Sequence, residues 1–210
     1  TKGGVLLNGT KDDHSWSQSH YEALEKTAQT LNLDMHYEES VPLDDNCTRI
    51  LEKFAEEGCQ IVIANSFGYG EWVLEASKKH PEIHYFHATG IENAPNLSTY
   101  FGRIYQIRYL CGIVAGLQTQ TNEIGYVAAF PISEVNRGIN AFTRGVKSVN
   151  PDANVYVQWS NSWEEDETTE QAARELIKDH NIDVFSMHSD SLKVCDVAKE
   201  EGIWVIGYNM

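Results

Sequence analysis

Ile61-Val62-Ile63-Ala64-Asn65-Ser66-Phe67-Gly68-Tyr69, followed by a helical pattern over residues 71–79, reads as one strand, one loop and one helix. Four consecutive apolar residues leave the strand no polar face, as expected when a parallel sheet is covered on both sides. The same unit recurs in both directions along the chain. Toward the N-terminus, Gly4-Val5-Leu6-Leu7-Asn8 is a strand, and Tyr21, Leu24, Ala28 and Leu31 mark a helix. Residues 34–39 form a second strand and 45–57 a second helix. Toward the C-terminus, residues 83–87 give a fourth strand, which completes an open-sheet lobe. Residues 100–105 are a short aromatic segment, and 107–117 a long apolar helix whose Gly112 and Gly116 permit close packing. The pattern then restarts, with strands at 124–129, 155–159, 184–188 and 204–208 and helices at 137–149, 168–179 and 192–201. The predicted fold class is α/β, with two lobes of open parallel sheet flanked by helices, at 1–103 and 104–210. No Pro-rich or Gly/Ser-rich linker separates them, so ordered structure joins the lobes.

Composition narrows the function. The 210 residues carry a net charge of −15 and a pI near 4.8. Nucleic-acid backbones and anionic membrane surfaces need clustered Lys and Arg, so neither is an expected partner. No run reaches the 18 or so apolar residues of a membrane span, and residues 1–20 lack a secretory signal's apolar stretch. Thr1-Lys2 leads straight into a strand, which leaves room for a removed signal or an anchor upstream. Cys47, Cys59, Cys111 and Cys195 show no metal-ligand or CxxC spacing and are expected as buried free thiols. The histidines form no metal-binding pair, and GxSxG, P-loop and GxGxxG motifs are absent. No catalytic residue, metal or cofactor is therefore expected.

Open parallel sheets bind ligands at the carboxyl ends of their strands. Those positions are unusually aromatic and polar here. They include residues 8–18 with Asp13 and Trp16, residues 65–69 with Phe67 and Tyr69, Phe130-Pro131, Ser160-Asn161-Ser162-Trp163, and Ser189-Asp190-Ser191. Trp16 either packs on its own helix or stacks on a ligand, and Trp163 occupies the equivalent loop of the second lobe. Phe67 and Tyr69 are candidates for a pocket edge, with core packing the alternative for Phe67. Asp190 offers an acceptor to a ring N–H or an exocyclic amine, while it or Ser189 could equally cap the next helix. Asn140, read as lying in the first turn of the 137–149 helix, offers both a donor and an acceptor. Glu164 to Glu167 are expected as acids favouring a helix start.

Taken in order, Asp12-Asp13-His14-Ser15-Trp16-Ser17-Gln18, Phe67-Gly68-Tyr69, His87-Ala88-Thr89-Gly90, Asn96 to Tyr105, Gly125 to Pro131, Arg137 to Phe142 and Gly207-Tyr208-Asn209 resemble the basic membrane protein family of ABC-transporter solute-binding proteins. The resemblance runs across essentially the whole chain. It implies a type I periplasmic-binding-protein fold and capture of a purine nucleoside or free purine outside the cytoplasmic membrane, with no chemistry performed. It also implies that Trp16 is the stacking aromatic, that Trp163 faces it from the other lobe, and that Asn140 and Asp190 contact the base edge. Asp13 and Ser189 complete the expected ligand set. Free-base binders look like the branch with tryptophan in the first loop, and nucleoside binders more often carry Phe-Asn at Trp16-Ser17, so an adenine-like base is the expected ligand. The expected partner is an ABC permease, with the protein a monomer, held at the membrane only by a lipid anchor outside this chain. The alternatives are a purine nucleoside binder and the sensor domain of a signalling receptor. Family members continue for roughly another 80 residues beyond the position of Met210, so the second lobe is expected to be incomplete.

Overall fold

The computed structural model describes residues 1–208; Asn209 and Met210, and with Asn209 the end of the Gly207-Tyr208-Asn209 motif, lie outside the described residues. The chain divides into two compact units, the first Thr1–Gly102 and the second beginning at Arg103.

The first unit runs β1 (Lys2–Leu6), α1 (Trp16–Leu31), β2 (Asp34–Glu38), α2 (Asp45–Glu56), β3 (Ile61–Ala64), a 3-10 turn (Phe67–Tyr69), α3 (Gly70–Lys79), β4 (His84–Ala88) and β5 (Leu97–Tyr100). Its strands lie in the order β2-β1-β3-β4-β5, all parallel. The alternation of the strands explains the layers. Leu6, Val62 and Ala64 pack on one face with Leu51, Phe54 and Val73, whereas Val5, Leu7 and Ile63 face the other way with Leu24. Gly4 lets α2 sit close, because a Cβ there would fall 2.5 Å from the Phe54 ring. The fifth strand departs from the sequence reading, which closed this lobe at four. Leu97-Ser98-Thr99-Tyr100 pairs with 85–88 of β4 and buries only Leu97 fully, so it carries almost no apolar signal.

The second unit runs α4 (Ile104–Gln118), β6 (Glu123–Ala128), α5 (Ser133–Val149), β7 (Asn154–Trp159), α6 (Asp166–Asp179), β8 (Val184–His188), α7 (Lys193–Glu201) and β9 (Trp204–Ile206). The order is β7-β6-β8-β9, again parallel. The expected close approach of α4 is present. A Cβ on Gly112 would meet the Phe142 carbonyl at 2.0 Å, and one on Gly145 would meet the Tyr109 carbonyl at 2.0 Å, so the two helix backbones touch through reciprocal glycines. Helix α5 begins at Ser133, four residues before its expected start, because Glu134 and Val135 already face inward and are buried.

Strand order reverses between β1 and β3 in the first unit and between β6 and β8 in the second. The crevice at such a reversal is where open α/β sheets take ligands. Both crevices are bordered by the loops singled out from sequence.

Candidate ligand-binding half-sites

In the first unit, Trp16 is the opening residue of α1 and is fixed at the β1/β3 reversal. Its indole N–H donates to the Asn65 carbonyl at 2.6 Å. Asn65, just after β3, is fully buried, and its Oδ1 accepts from the Asn8 N–H at 3.0 Å. Its Nδ2 donates to the Ser17 hydroxyl at 3.2 Å. That hydroxyl also accepts from the Gly9 N–H at 2.9 Å and donates to the Asn8 Oδ1 at 3.0 Å. One donor and two acceptors saturate a serine hydroxyl, so the lattice under Trp16 is complete at Ser17. The indole also packs on His20, one helical turn on, with centroids 4.4 Å apart, and on Phe101 at 6.2 Å. His20 Nδ1 lies 3.1 Å from the Trp16 carbonyl and donates to it, since a carbonyl can only accept. Burial holds the His20 pKa below the ordinary histidine value.

Asp13 and Tyr69 take structural places. The Asp13 carboxylate accepts three helix-start N–H groups, from Ser15 and Gln18 on Oδ1 and from Ser17 on Oδ2, each at 2.9 Å. It thus satisfies the orphan donors of α1. Tyr69, expected at a pocket edge, is 0% exposed, and its hydroxyl donates to the Val41 carbonyl at 2.7 Å. The tyrosine serves the core because the 3-10 turn rotates it inward, while Phe67 at the start of that turn stays half-buried. The turn is held by buried His87, whose Nε2 donates to the Ser66 carbonyl at 2.7 Å.

In the second unit, Trp163 packs against Phe130 at 5.7 Å and His188 at 6.1 Å. Its carbonyl accepts from the Asp190 N–H at 2.7 Å and the Ser191 N–H at 3.3 Å, which ties the loops after β7 and β8 together. Asn161, in the left-handed region with φ 55, turns the chain into this loop, a conformation asparagine tolerates. Asp190 is partly exposed, while neighbouring Ser189 is 0% exposed and so backs the half-site without facing its surface. Neither caps α7. The Lys193 N–H instead meets the Ser191 hydroxyl at 3.3 Å.

Asn140 does not join this cluster. With α5 starting at Ser133, Asn140 falls two turns into the helix, exposed, in a groove of about 760 Å³ between α4 and α5 beside Tyr105, Tyr109 and Arg137. Among the described residues, no cluster of His, Cys, Asp or Glu could hold a metal ion, and no helix is long and apolar enough to cross a membrane. All four cysteines are free, Cys47 and Cys59 buried and Cys111 and Cys195 half-buried.

The family profile of PnrA-like ABC transporter substrate-binding proteins, Bmp, matches residues 1–210. The chain belongs to the Bmp family. Among curated relatives, a protein of Haloferax volcanii, provisionally assigned as an ABC transporter glucose-binding protein, is 38% identical over 94% of this chain and 50% of its own length. A purine-binding protein of Brucella abortus is 33% identical over 98% of this chain and 59% of its own. This Bmp chain thus spans about half to three fifths of the length of those relatives. Among solved structures, an ABC transporter solute-binding protein from Conexibacter woesei is similar with a TM-score of 0.74 and 19% identity, over 100% of this chain and 70% of that one. That likeness is one of fold, and it agrees with the two α/β units expected from the sequence.

Proposed function

We propose that this Bmp chain is the ligand-binding part of an extracytoplasmic solute-binding protein that captures a free, adenine-like purine and presents it, chemically unchanged, to an ABC permease. The observation that carries this reading is the tryptophan fixed at the strand-order reversal of each unit, Trp16 through Asn65 and Trp163 through Asp190 and Ser191. Indoles held in place in advance suit a flat aromatic ligand, and each base stack contributes about 1–3 kcal/mol. In this reading Trp16 and Trp163 each supply a stacking face for a flat base, and Phe67 borders the Trp16 half-site. Asp190 accepts from a ring N–H or exocyclic amine. The protein is a monomer and reaches the membrane through a lipid anchor outside this chain.

The purine-binding relative supports the choice of ligand. The glucose assignment of the other relative favours a second reading, a sugar stacked on the same indoles. Mass spectrometry of ligand released from the denatured protein, followed by calorimetric titration with adenine, adenosine and glucose, separates the two. Tight adenine binding is expected, with weaker adenosine binding and no release of free base from adenosine. Glucose binding without adenine binding overturns the purine reading.

A further inference from the structure

Behind Trp163, three ionisable side chains converge in the interior of the second unit. Arg108, on α4, is 2% exposed. Its Nη1 donates to the Met187 carbonyl at 2.8 Å, while Nε and Nη2 have no hydrogen-bond acceptor among the described residues. Its guanidinium lies 4.4 Å from the centre of the Tyr208 ring and 5.8 Å from that of Tyr126. Glu134, in the first turn of α5, is buried, and its Oε1 lies 3.4 Å from His188 Nε2, too long for a good N–H···O bond but close enough for strong charge coupling. His188 ends β8 and is 1% exposed. Its ring lies 4.5 Å from Tyr208 as well as against Trp163.

One carboxylate and one guanidinium leave this spot neutral only while His188 is neutral. A second cation would be buried without compensation, which the low-dielectric interior disfavours strongly. His188 also belongs to the strand end that it supports. Its carbonyl accepts from the Ala129 N–H at 3.0 Å, and two and three residues further on the N–H groups of Asp190 and Ser191 hold the Trp163 carbonyl.

We propose that His188 is a positioning residue for the Trp163–Asp190 half-site, its neutral ring seated between Glu134 and Arg108 to brace the indole, and that a proton on the ring releases the brace. The inference rests on Trp163 being a ligand contact. The groups that face or flank the ring are Glu134 from α5, Arg108 from α4, Tyr126 from β6, Tyr208 after β9, and Asp190 two residues beyond the end of its own strand. Burial holds the His188 pKa below the ordinary value; Glu134 pulls it up and Arg108 pushes it further down. Because the value in the braced state is depressed, conformations that free the ring take the proton first. The brace is complete above the ordinary histidine value and weakens as pH falls below it.

The test measures adenine affinity by calorimetry, and tryptophan emission without ligand, from about pH 8 to about pH 4.5. The proteins are wild type, His188→Gln, Glu134→Gln and Trp163→Phe. Wild-type affinity is expected to fall by up to about tenfold per pH unit below the midpoint, the slope of one linked proton. Ligand-free emission should change with the same midpoint, and that component should be missing from Trp163→Phe and His188→Gln. Glu134→Gln should move the midpoint to lower pH, because it removes the group that favours the proton. Coincident pH profiles for wild type and His188→Gln overturn the proposal, as does a midpoint unmoved by Glu134→Gln; the second criterion holds even when His188→Gln fails to fold. Should adenine bind at no pH while the Trp163 emission titrates as described, the brace stands and the purine reading falls.

Discussion

The two tryptophans are supported by opposite chemistry, and their loops are not the equivalents expected from sequence, since Trp16 follows the inner strand β1 and Trp163 the edge strand β7. Trp16 sits on a lattice of neutral groups, Asn8, Ser17 and Asn65, in which every polar atom of the serine hydroxyl is used. Trp163 sits on rings and on a buried charged cluster, with Phe130 and His188 against the indole and Glu134 and Arg108 behind. A neutral lattice resists change because any displacement leaves several buried donors and acceptors unpaired. A charged cluster is stable only while its charges balance, which makes it sensitive to a single proton or a single substitution.

The sharpest break in that comparison is Glu134→Ala, which removes the buried carboxylate beside His188 and leaves the cluster with the charge of Arg108 alone. A loss of about 3–5 kcal/mol in denaturant unfolding is expected, whereas a loss below about 1 kcal/mol would mean that the cluster is solvated. The counterpart in the first unit is Asn65→Ala, which strands the Asn8 N–H and removes one of the three partners of the Ser17 hydroxyl, while the backbone carbonyl that holds the Trp16 indole stays. It is expected to cost about 1–3 kcal/mol of stability and, by loosening the lattice beneath the indole, to weaken ligand binding; unchanged affinity would show that the lattice does not position Trp16. Asp13→Ala removes the acceptor for three N–H groups at the start of α1 and should cost about 1 kcal/mol of stability, the usual loss on removing a helix cap. Asn140→Ala, on the exposed face of α5, should leave ligand affinity within the error of a calorimetric titration.

Most of the strands and helices were legible in the sequence because buried parallel strands are short apolar runs separated by helical spacing. The exceptions share a cause, which is that the local pattern was silent. Strand β5 buries a single residue fully, and the first turn of α5 hid behind Pro131-Ile132, which placed Asn140 two turns out of position. Trp16 and Trp163 could be picked out because a large aromatic in a polar strand-end loop is conspicuous. Their supports could not. Ser17 and Asn65 are 48 residues apart, and Arg108 reaches a carbonyl 79 residues away, so only the folded sheet brings them together. The exchange of Tyr69 for Phe67 at the loop surface likewise depends on the rotation of a 3-10 turn, which leaves no trace in residue spacing.

The central claim is that each indole stacks on a flat base. Calorimetric titration of adenine into wild type, Trp16→Ala and Trp163→Ala tests it most directly. The expected result is tight binding to wild type and a loss of about 1–3 kcal/mol in each variant, titrated where the variant is still folded; equal affinity in all three proteins, or no adenine binding to a folded wild type, would contradict it.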